Sequence, residues 1–446
     1  MLVVAALLLA LGGWWLAGRP GLPVGQSGPV ADPGGQETPA QGASGRPSGE
    51  PSGQPGEPSE EPRDEALVWG PTEAELARAR ELAQDWSAEQ LAGQVIVGRY
   101  HSTDPEEAAA LVRDLHLAGV CVTSTNVVDA EQVLATTAAV SAAVAADGRD
   151  FPAVIGVDEE GGSVAHLRGV ATTFPAFQVA GSAIDVDRAE GGRAGRQAVQ
   201  GAARAAGLEL RALGFTWVFA PVADVTIGAA DPTIGSRSAS EDPRTAATAS
   251  AAAVRGYVEA GLVSTVKHFP GHGGATANSH VELPTLDASL EELRQRDLLP
   301  FKTSIRAGAP AVMVGHLAVS AIAPGVPATL APDAYAYLRE QMGFGGVTIT
   351  DSLGMGAVVE TPQLGVRALQ AGADLLLMPA DTARTHRTVT QAIESGELDR
   401  ERVVDAAAQV VAVQLWQQRV AGQEPVPLDV TEQAQLAAAA LEDAAY

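Results

Sequence analysis

The sequence predicts a single (β/α)8 barrel of the TIM type, and three observations carry that reading. Between residues 71 and 420, eight short apolar runs alternate with longer amphipathic stretches. The runs are apolar on both faces, as strands of a parallel sheet covered by helices are. Polar residues close the runs instead of interrupting them. Eight strand-then-helix units in roughly 350 residues is the count for such a barrel with some long loops. An open doubly wound sheet is the competing architecture. It needs a glycine-rich phosphate turn after its first strand, and QVIVGRYHST has none.

In chain order the first four candidate strands are QVIVGRYH (94–101), GVCVTS (119–124), PAVIGVD (152–158) and TWVFAPVADV (216–225). The second four are VSTVKHF (263–269), AVMVGH (311–316), GVTITDS (346–352) and DLLLMPAD (374–381). Helix start signals lie between them. Ser87-Ala88-Glu89-Gln90 approximates a capping box, and Asp104-Pro105-Glu106-Glu107 opens the helix after the first strand. The 446 residues suit one large domain or two modest ones. With only 4% aromatic residues, the core must be built mostly from Ala, Val and Leu.

The ends differ from this pattern. Met1 to Ala17 (MLVVAALLLALGGWWLA) is apolar without interruption and sits at the short edge of what spans a bilayer as a helix. Trp14 and Trp15 stand where an interfacial aromatic belt would place them. No positive segment precedes the run, so residues 1–18 read as a signal anchor in preference to a cleaved signal peptide. Residues 19–70 are Pro, Gly, Ser and Glu with almost nothing to bury, and read as a disordered tether. Together they predict an extracytoplasmic barrel over residues 71–420, membrane-tethered or secreted. Residues 421–446 form a tail with room for a short helix. The charge balance, 29 basic against 54 acidic side chains for a net −25, argues against a nucleic-acid partner. Cys121 stands alone, which excludes a disulfide framework within the chain and a cysteine-based zinc site.

Asp158, Asp224, Lys267-His268, His316 and Asp351 all fall at carboxyl ends of predicted strands. In a barrel those ends converge on one mouth, where catalytic groups sit. A lone strand-end Asp or His is by default structural; five such ends together read as a site. His268, His272 and His280 are spaced H-x3-H-x7-H, enough to imagine zinc. One ends a strand while two lie on a Gly/Pro loop, with no HExxH-type helical pair, so no metal is expected.

Four segments carry a family likeness: VIGVDEEGGSVAHLRG (154–169), FAPVADVTIGAADPTIGSRSASEDP (219–243), KHFPGHGGATANSHVELP (267–284) and GFGGVTITDSLGMGAV (343–358). They resemble the signatures of glycoside hydrolase family 3, in particular its bacterial β-N-acetylglucosaminidases (β-N-acetylhexosaminidases) that act on peptidoglycan fragments. SAEQLAGQ (87–94) and AGADLLLMP (371–379) extend the likeness across the barrel. KHFPGHG followed by Ser-His is highly specific; DxEGG alone is weak. A retaining glycosidase needs a nucleophile and a proton donor for the leaving oxygen. The resemblance assigns these roles to Asp351 and His280, the latter on a mobile loop after the fifth strand. A histidine titrates near neutrality and can give a proton and later take one from water. Asp351 also has a reading as an N-cap of the following helix. Asp158, Arg237, Lys267 and His268 match residues that hold the sugar. Arg237 reads equally well as an ion-pair partner of an acid such as Asp224. Gly271, Gly273 and Gly274 would permit the loop to move. No cofactor is implied.

The chain departs from the family pattern at three positions. Asn278 stands where an aspartate usually orients the imidazole, and Ser163 and His166 stand where arginines are usual. The amide oxygen of Asn278 can accept the Nδ1–H of His280 but brings no charge, which predicts a slower enzyme. The implied function is removal of terminal β-linked N-acetylglucosamine, with retention, from peptidoglycan-derived or related amino-sugar oligosaccharides. Within the family the alternatives are phosphorolysis, since a histidine repels phosphate less than a carboxylate does, and β-glucosidase action. A non-catalytic cell-wall sugar-binding protein is the alternative of another class, made credible by the three departures.

Overall fold

The protein is described here by a computed structural model covering residues 64–231 and 233–446; the apolar run at 1–18 and most of the Pro/Gly-rich stretch lie outside the described residues. Each predicted run contains a strand, shorter than the run everywhere except at β5, where the two coincide. These are β1 Ile96–Gly98, β2 Gly119–Val122, β3 Val154–Val157, β4 Trp217–Val218, β5 Val263–Phe269, β6 Ala311–Val314, β7 Val347–Thr350 and β8 Leu376–Leu377. They neighbour one another in chain order, all parallel, with β8 beside β1. A bridge between Ile349 and Leu375 brings β7 against β8, and Thr350 N–H donates to the Leu375 carbonyl at 2.9 Å. The sheet is therefore a nearly closed barrel, consistent with the TIM type, and not an open doubly wound sheet.

β4 stops far short of the predicted 216–225 because Pro221 has no N–H to give to a ladder. Pairing resumes beyond it, where Val222 bridges Lys267 and Ala223 N–H donates to the Lys267 carbonyl at 2.6 Å. Helix starts follow the sequence signals. Ser87 Oγ accepts Gln90 N–H at 3.2 Å while Gln90 Oε1 accepts Ser87 N–H at 3.0 Å, and Asp104 caps the helix that Pro105 begins.

Period-two alternation divides the apolar strand residues between two cores. Ile96, Val120, Ile155, Val218, Val312 and Leu376 join the helices in the outer core. Val97, Cys121, Trp217, Phe219, Met313 and Ile349 pack with one another, and Val411, Ala412, Leu415 and Trp416 of helix Arg400–Gln423 join that inner cluster. Trp217 Nε1–H donates to Thr265 Oγ1 at 2.6 Å. Gly156 leaves space for the Phe219 ring, because a Cβ there would lie 2.5 Å from Phe219 Cζ.

The folded body begins before residue 71, which corrects the tether boundary. Ala66 bridges Thr72, and Trp69 buries its ring in the inner cluster that holds Trp416. One large apolar ring outweighs the local polar composition. At the other end, helix Arg400–Gln423 runs past residue 420, and the tail forms helix Val430–Asp443. That helix lays Val430, Ala434, Ala438 and Leu441 against helices Gln178–Glu190 and Ala194–Ala212. Among the described residues no helix is long and apolar enough to cross a membrane.

Gly156→Ala overpacks the inner core against Phe219 and should destabilise the barrel by about 1–3 kcal/mol in urea unfolding. Adding Phe219→Leu should recover part of that loss; strictly additive effects would show that the two do not touch.

Candidate active site

Ends of the strands open into a cavity of about 740 Å³. Asp158 follows β3, Lys267 and His268 close β5, and Asp351 follows β7; Arg237 comes from the connection after β4 and His280 from the loop after β5. All six line this cavity, as do Ser163 and His166. The structure therefore brings the sequence-predicted residues together, with Asn278 one step behind His280.

The centre of one wall is a buried charge cluster. Glu160, its side chain only 3% exposed, accepts from Arg237 Nε and Nη2 at 2.8 and 2.9 Å and lies 2.7 Å from Lys267 Nζ. Lys267 also pairs with Asp158. Burial alone would push the Glu160 carboxyl up, but the Lys267 and Arg237 cations outweigh it and hold the group down at about 2. Burial likewise works against the Lys267 ammonium, and Asp158 and Glu160 raise it above the usual range. Arg237 is thus paired as the sequence allowed, but with Glu160 instead of Asp224. The partner lies 77 residues away in sequence and only ring closure sets it opposite.

Asp224 has another role. Fully buried, it accepts from His268 Nδ1–H at 2.7 Å, from His272 N–H at 2.7 Å and from His268 N–H at 3.2 Å. Burial raises its carboxyl, the neighbouring imidazoles lower it further, and it lies below the usual carboxylate range. His268 consequently keeps its Nε2 for the cavity, and His272 is fixed at the start of the loop. His272 Nε2 in turn meets Ser279 Oγ at 3.0 Å, directly before His280. The rings of His268, His272 and His280 thus each bond a different side chain, Asp224, Ser279 and Asn278, and no cluster of potential metal ligands forms among the described residues.

Asn278 Oδ1 accepts both the backbone N–H and the Nδ1–H of His280 at 2.9 Å. With Nδ1 carrying that hydrogen, Nε2 is free to exchange a proton. The loop rests on the turn after Asp351, where Gly356 N–H donates to the His280 carbonyl and Ala357 N–H to that of Ser279, both at 3.2 Å. His280 itself is exposed. Gly271 sits at φ +127°, and a Cβ on Gly273 would lie 2.3 Å from the Val225 carbonyl, so those two glycines serve turn geometry and close packing.

Asp351 is half-buried and accepts Ser352 N–H at 2.7 Å. Burial pushes its carboxyl up; His268, His316, that N–H and Lys267 together outweigh burial and leave it below the usual range, ionised at neutral pH. The turn is held from beneath by His316, whose Nε2–H donates to the Ser352 carbonyl at 3.0 Å. An ionised carboxylate facing a cavity whose opposite wall is rich in directional hydroxyl-binding groups can act as a nucleophile toward a bound sugar.

The model of the glycosyl hydrolase family 3 N terminal domain matches residues 84–413. The chain belongs to this family. It is similar to beta-hexosaminidase A of Pseudoalteromonas piscicida, 30% identical over 335 residues that make up 69% of this chain and 55% of that protein. It is 38% identical over 269 residues to a beta-hexosaminidase of Stenotrophomonas maltophilia, covering 59% of this chain and 76% of the relative. Among solved structures, a glycoside hydrolase family 3 beta-N-acetylglucosaminidase from Paenibacillus superposes with a TM-score of 0.70 at 30% identity, over 79% of this chain and 68% of that one. The chain thus spans little more than half the length of the first of these relatives.

One residue of this site, Glu160, escapes a reading of strand ends, and another, His316, is read there without its partner. Glu160 was legible only as part of DxEGG, and His316 as a strand-end polar residue without a partner. Neighbouring Glu159 and Glu160 show how far environment decides. Glu159 turns away from the charge cluster toward an apolar space lined by Phe174, Phe177 and Tyr257, and burial pushes its carboxyl up to about 7.

Glu160→Gln leaves two buried cations short of a partner and should destabilise the chain by about 3–5 kcal/mol in denaturant unfolding near neutrality. The stabilisation from Glu160 is present above pH 4.5 and lost as pH falls toward about 2, so the variant should lose less than the wild type over that window. Glu159 acts with the opposite sign. Its stabilisation is full below pH 4.5 and lost as pH rises through about 7, and Glu159→Gln should flatten the fall in unfolding midpoint across that range.

Proposed function

We propose that this chain hydrolyses terminal β-linked N-acetylglucosamine from amino-sugar oligosaccharides, with retention of configuration, by double displacement. The observation that carries the reading is that Asp351 and His280 share one cavity with the Asp158–Lys267–Glu160–Arg237 cluster. The names of the hexosaminidase relatives support the N-acetylated sugar. Asp158, Lys267, Arg237 and His268 hold the sugar hydroxyls. A carboxylate oxygen of Asp351 bonds C1 as the C1–O bond breaks; the electron pair leaves with the glycosidic oxygen, which takes a proton from His280 Nε2. Nε2 then removes a proton from water, the water oxygen bonds C1, and the Asp351 carboxylate departs.

Asn278 holds the His280 ring in register without adding negative charge to stabilise the imidazolium. The apolar run at 1–17 and the Pro/Gly-rich stretch after it support an extracytoplasmic barrel close to a membrane, where wall-derived oligosaccharides are the substrates. The wild type should release 4-nitrophenol from its β-N-acetylglucosaminide, and Asp351→Asn should lower kcat by about three orders of magnitude or more. A wild type that binds the sugar and hydrolyses nothing would instead mark a wall-binding module; sugar 1-phosphate formed on adding phosphate would mark a phosphorylase. Asn278→Asp should raise kcat about tenfold, the gain from making one hydrogen bond to the imidazolium charge-assisted. No gain with the fold intact would refute the account of Asn278.

A further inference from the structure

Arg99, at the carboxyl end of β1, lines the same cavity but belongs to none of its ion pairs. Lys267 and Arg237 are both neutralised by carboxylates, whereas no carboxylate among the described residues lies within 4.0 Å of Arg99. Its Nη2–H donates to Ser352 Oγ at 3.2 Å, and its Nε–H is buried with no acceptor. The guanidinium lies over Gly354, where a Cβ would come within 2.9 Å of Nη1 and 3.0 Å of Nη2. A half-buried cation whose Nη1 has no hydrogen-bond partner among the described residues, on a turn that keeps a glycine beneath it, is a built receptor for an acceptor supplied from outside.

The side of the site it serves follows from the turn it rests on. Residues 352–357 carry Arg99 at one end and, through Gly356 and Ala357, the carbonyls of His280 and Ser279 at the other. The sugar-holding cluster stands on β3 and β5 and on the connection after β4. In the mechanism proposed above, on which this inference rests, His280 addresses the leaving oxygen, so Arg99 lies on the leaving-group side.

We infer that Arg99 is a specificity-determining residue that binds a free carboxylate carried by the leaving saccharide. A planar guanidinium edge matches a carboxylate in shape and donor spacing. In a chain of net charge −25, an anionic substrate is repelled except where a cation is uncompensated. Arg168, the other cavity cation without a carboxylate partner among the described residues, is exposed and donates Nη2–H to the Gly162 carbonyl at 2.6 Å on the β3 side, which leaves Arg99 as the cation on the leaving-group side.

The test compares two disaccharides that differ in one group. One is N-acetylglucosaminyl-β-1,4-N-acetylmuramic acid with its lactyl carboxylate free; the other has that carboxylate converted to the primary amide. The full chain should show a kcat/KM for the acid about tenfold or more above that for the amide. Arg99→Gln should bring the ratio close to one and Arg99→Lys should keep part of it. Equal values for acid and amide in the wild type, or an unchanged ratio in Arg99→Gln, overturn the inference while leaving hydrolysis standing. The same pair offered as ligands to Asp351→Asn gives a ratio of Kd values that tests Arg99 even if the wild type cleaves neither. A Kd ratio near one overturns the assignment, and a tenfold preference for the acid sustains it.

Discussion

A single carboxylate, Glu160, sits almost out of water between two cations that come from different parts of the chain. Lys267 and Arg237 would be too costly to bury without it. By neutralising both, it lets the wall of the mouth present fixed donors without a flexible, solvated charge in the cavity. Asp158 completes the balance on the Lys267 side. The wall is therefore rigid and pre-ordered, the condition under which a site binds a sugar in one orientation.

The side of the cavity that carries His280 is built on the contrary plan. His280 is exposed and held by neutral groups, Asn278 and the Gly356 N–H of the turn beside Asp351, with the Ala357 N–H on the neighbouring Ser279 carbonyl. A buried hub lies one layer below, where Asp224 fixes His268 and His272, and His272 meets Ser279. A rigid binding wall faces a loop whose anchoring is strong at its root and weak at its tip. That combination suits the proton exchange proposed for His280.

The inside of the barrel explains why the mouth is where it is. Trp217 and Phe219 fill the ring in one cluster with helix Arg400–Gln423, and Gly156 gives up its side chain to admit an aromatic ring. With the interior packed, polar groups at strand ends are left at one face only, and an uncompensated Arg99 on β1 is turned toward the same space as Asp351 on β7.

Much of this could be read from the chain before it folded. Eight apolar runs closed by polar residues determine a parallel barrel, because period and polarity are local properties of the sequence. Asp351, His280, Asp158, Arg237 and Lys267-His268 were legible because motif spacing is also local. Pairings were not. Arg237 meets Glu160 and not Asp224, Trp69 anchors a stretch whose composition reads as a tether, and Gly273 is needed for contact as much as for freedom. Each depends on which residues distant in sequence are brought within a few ångströms, and that is settled only when the ring closes and excludes water from its charges.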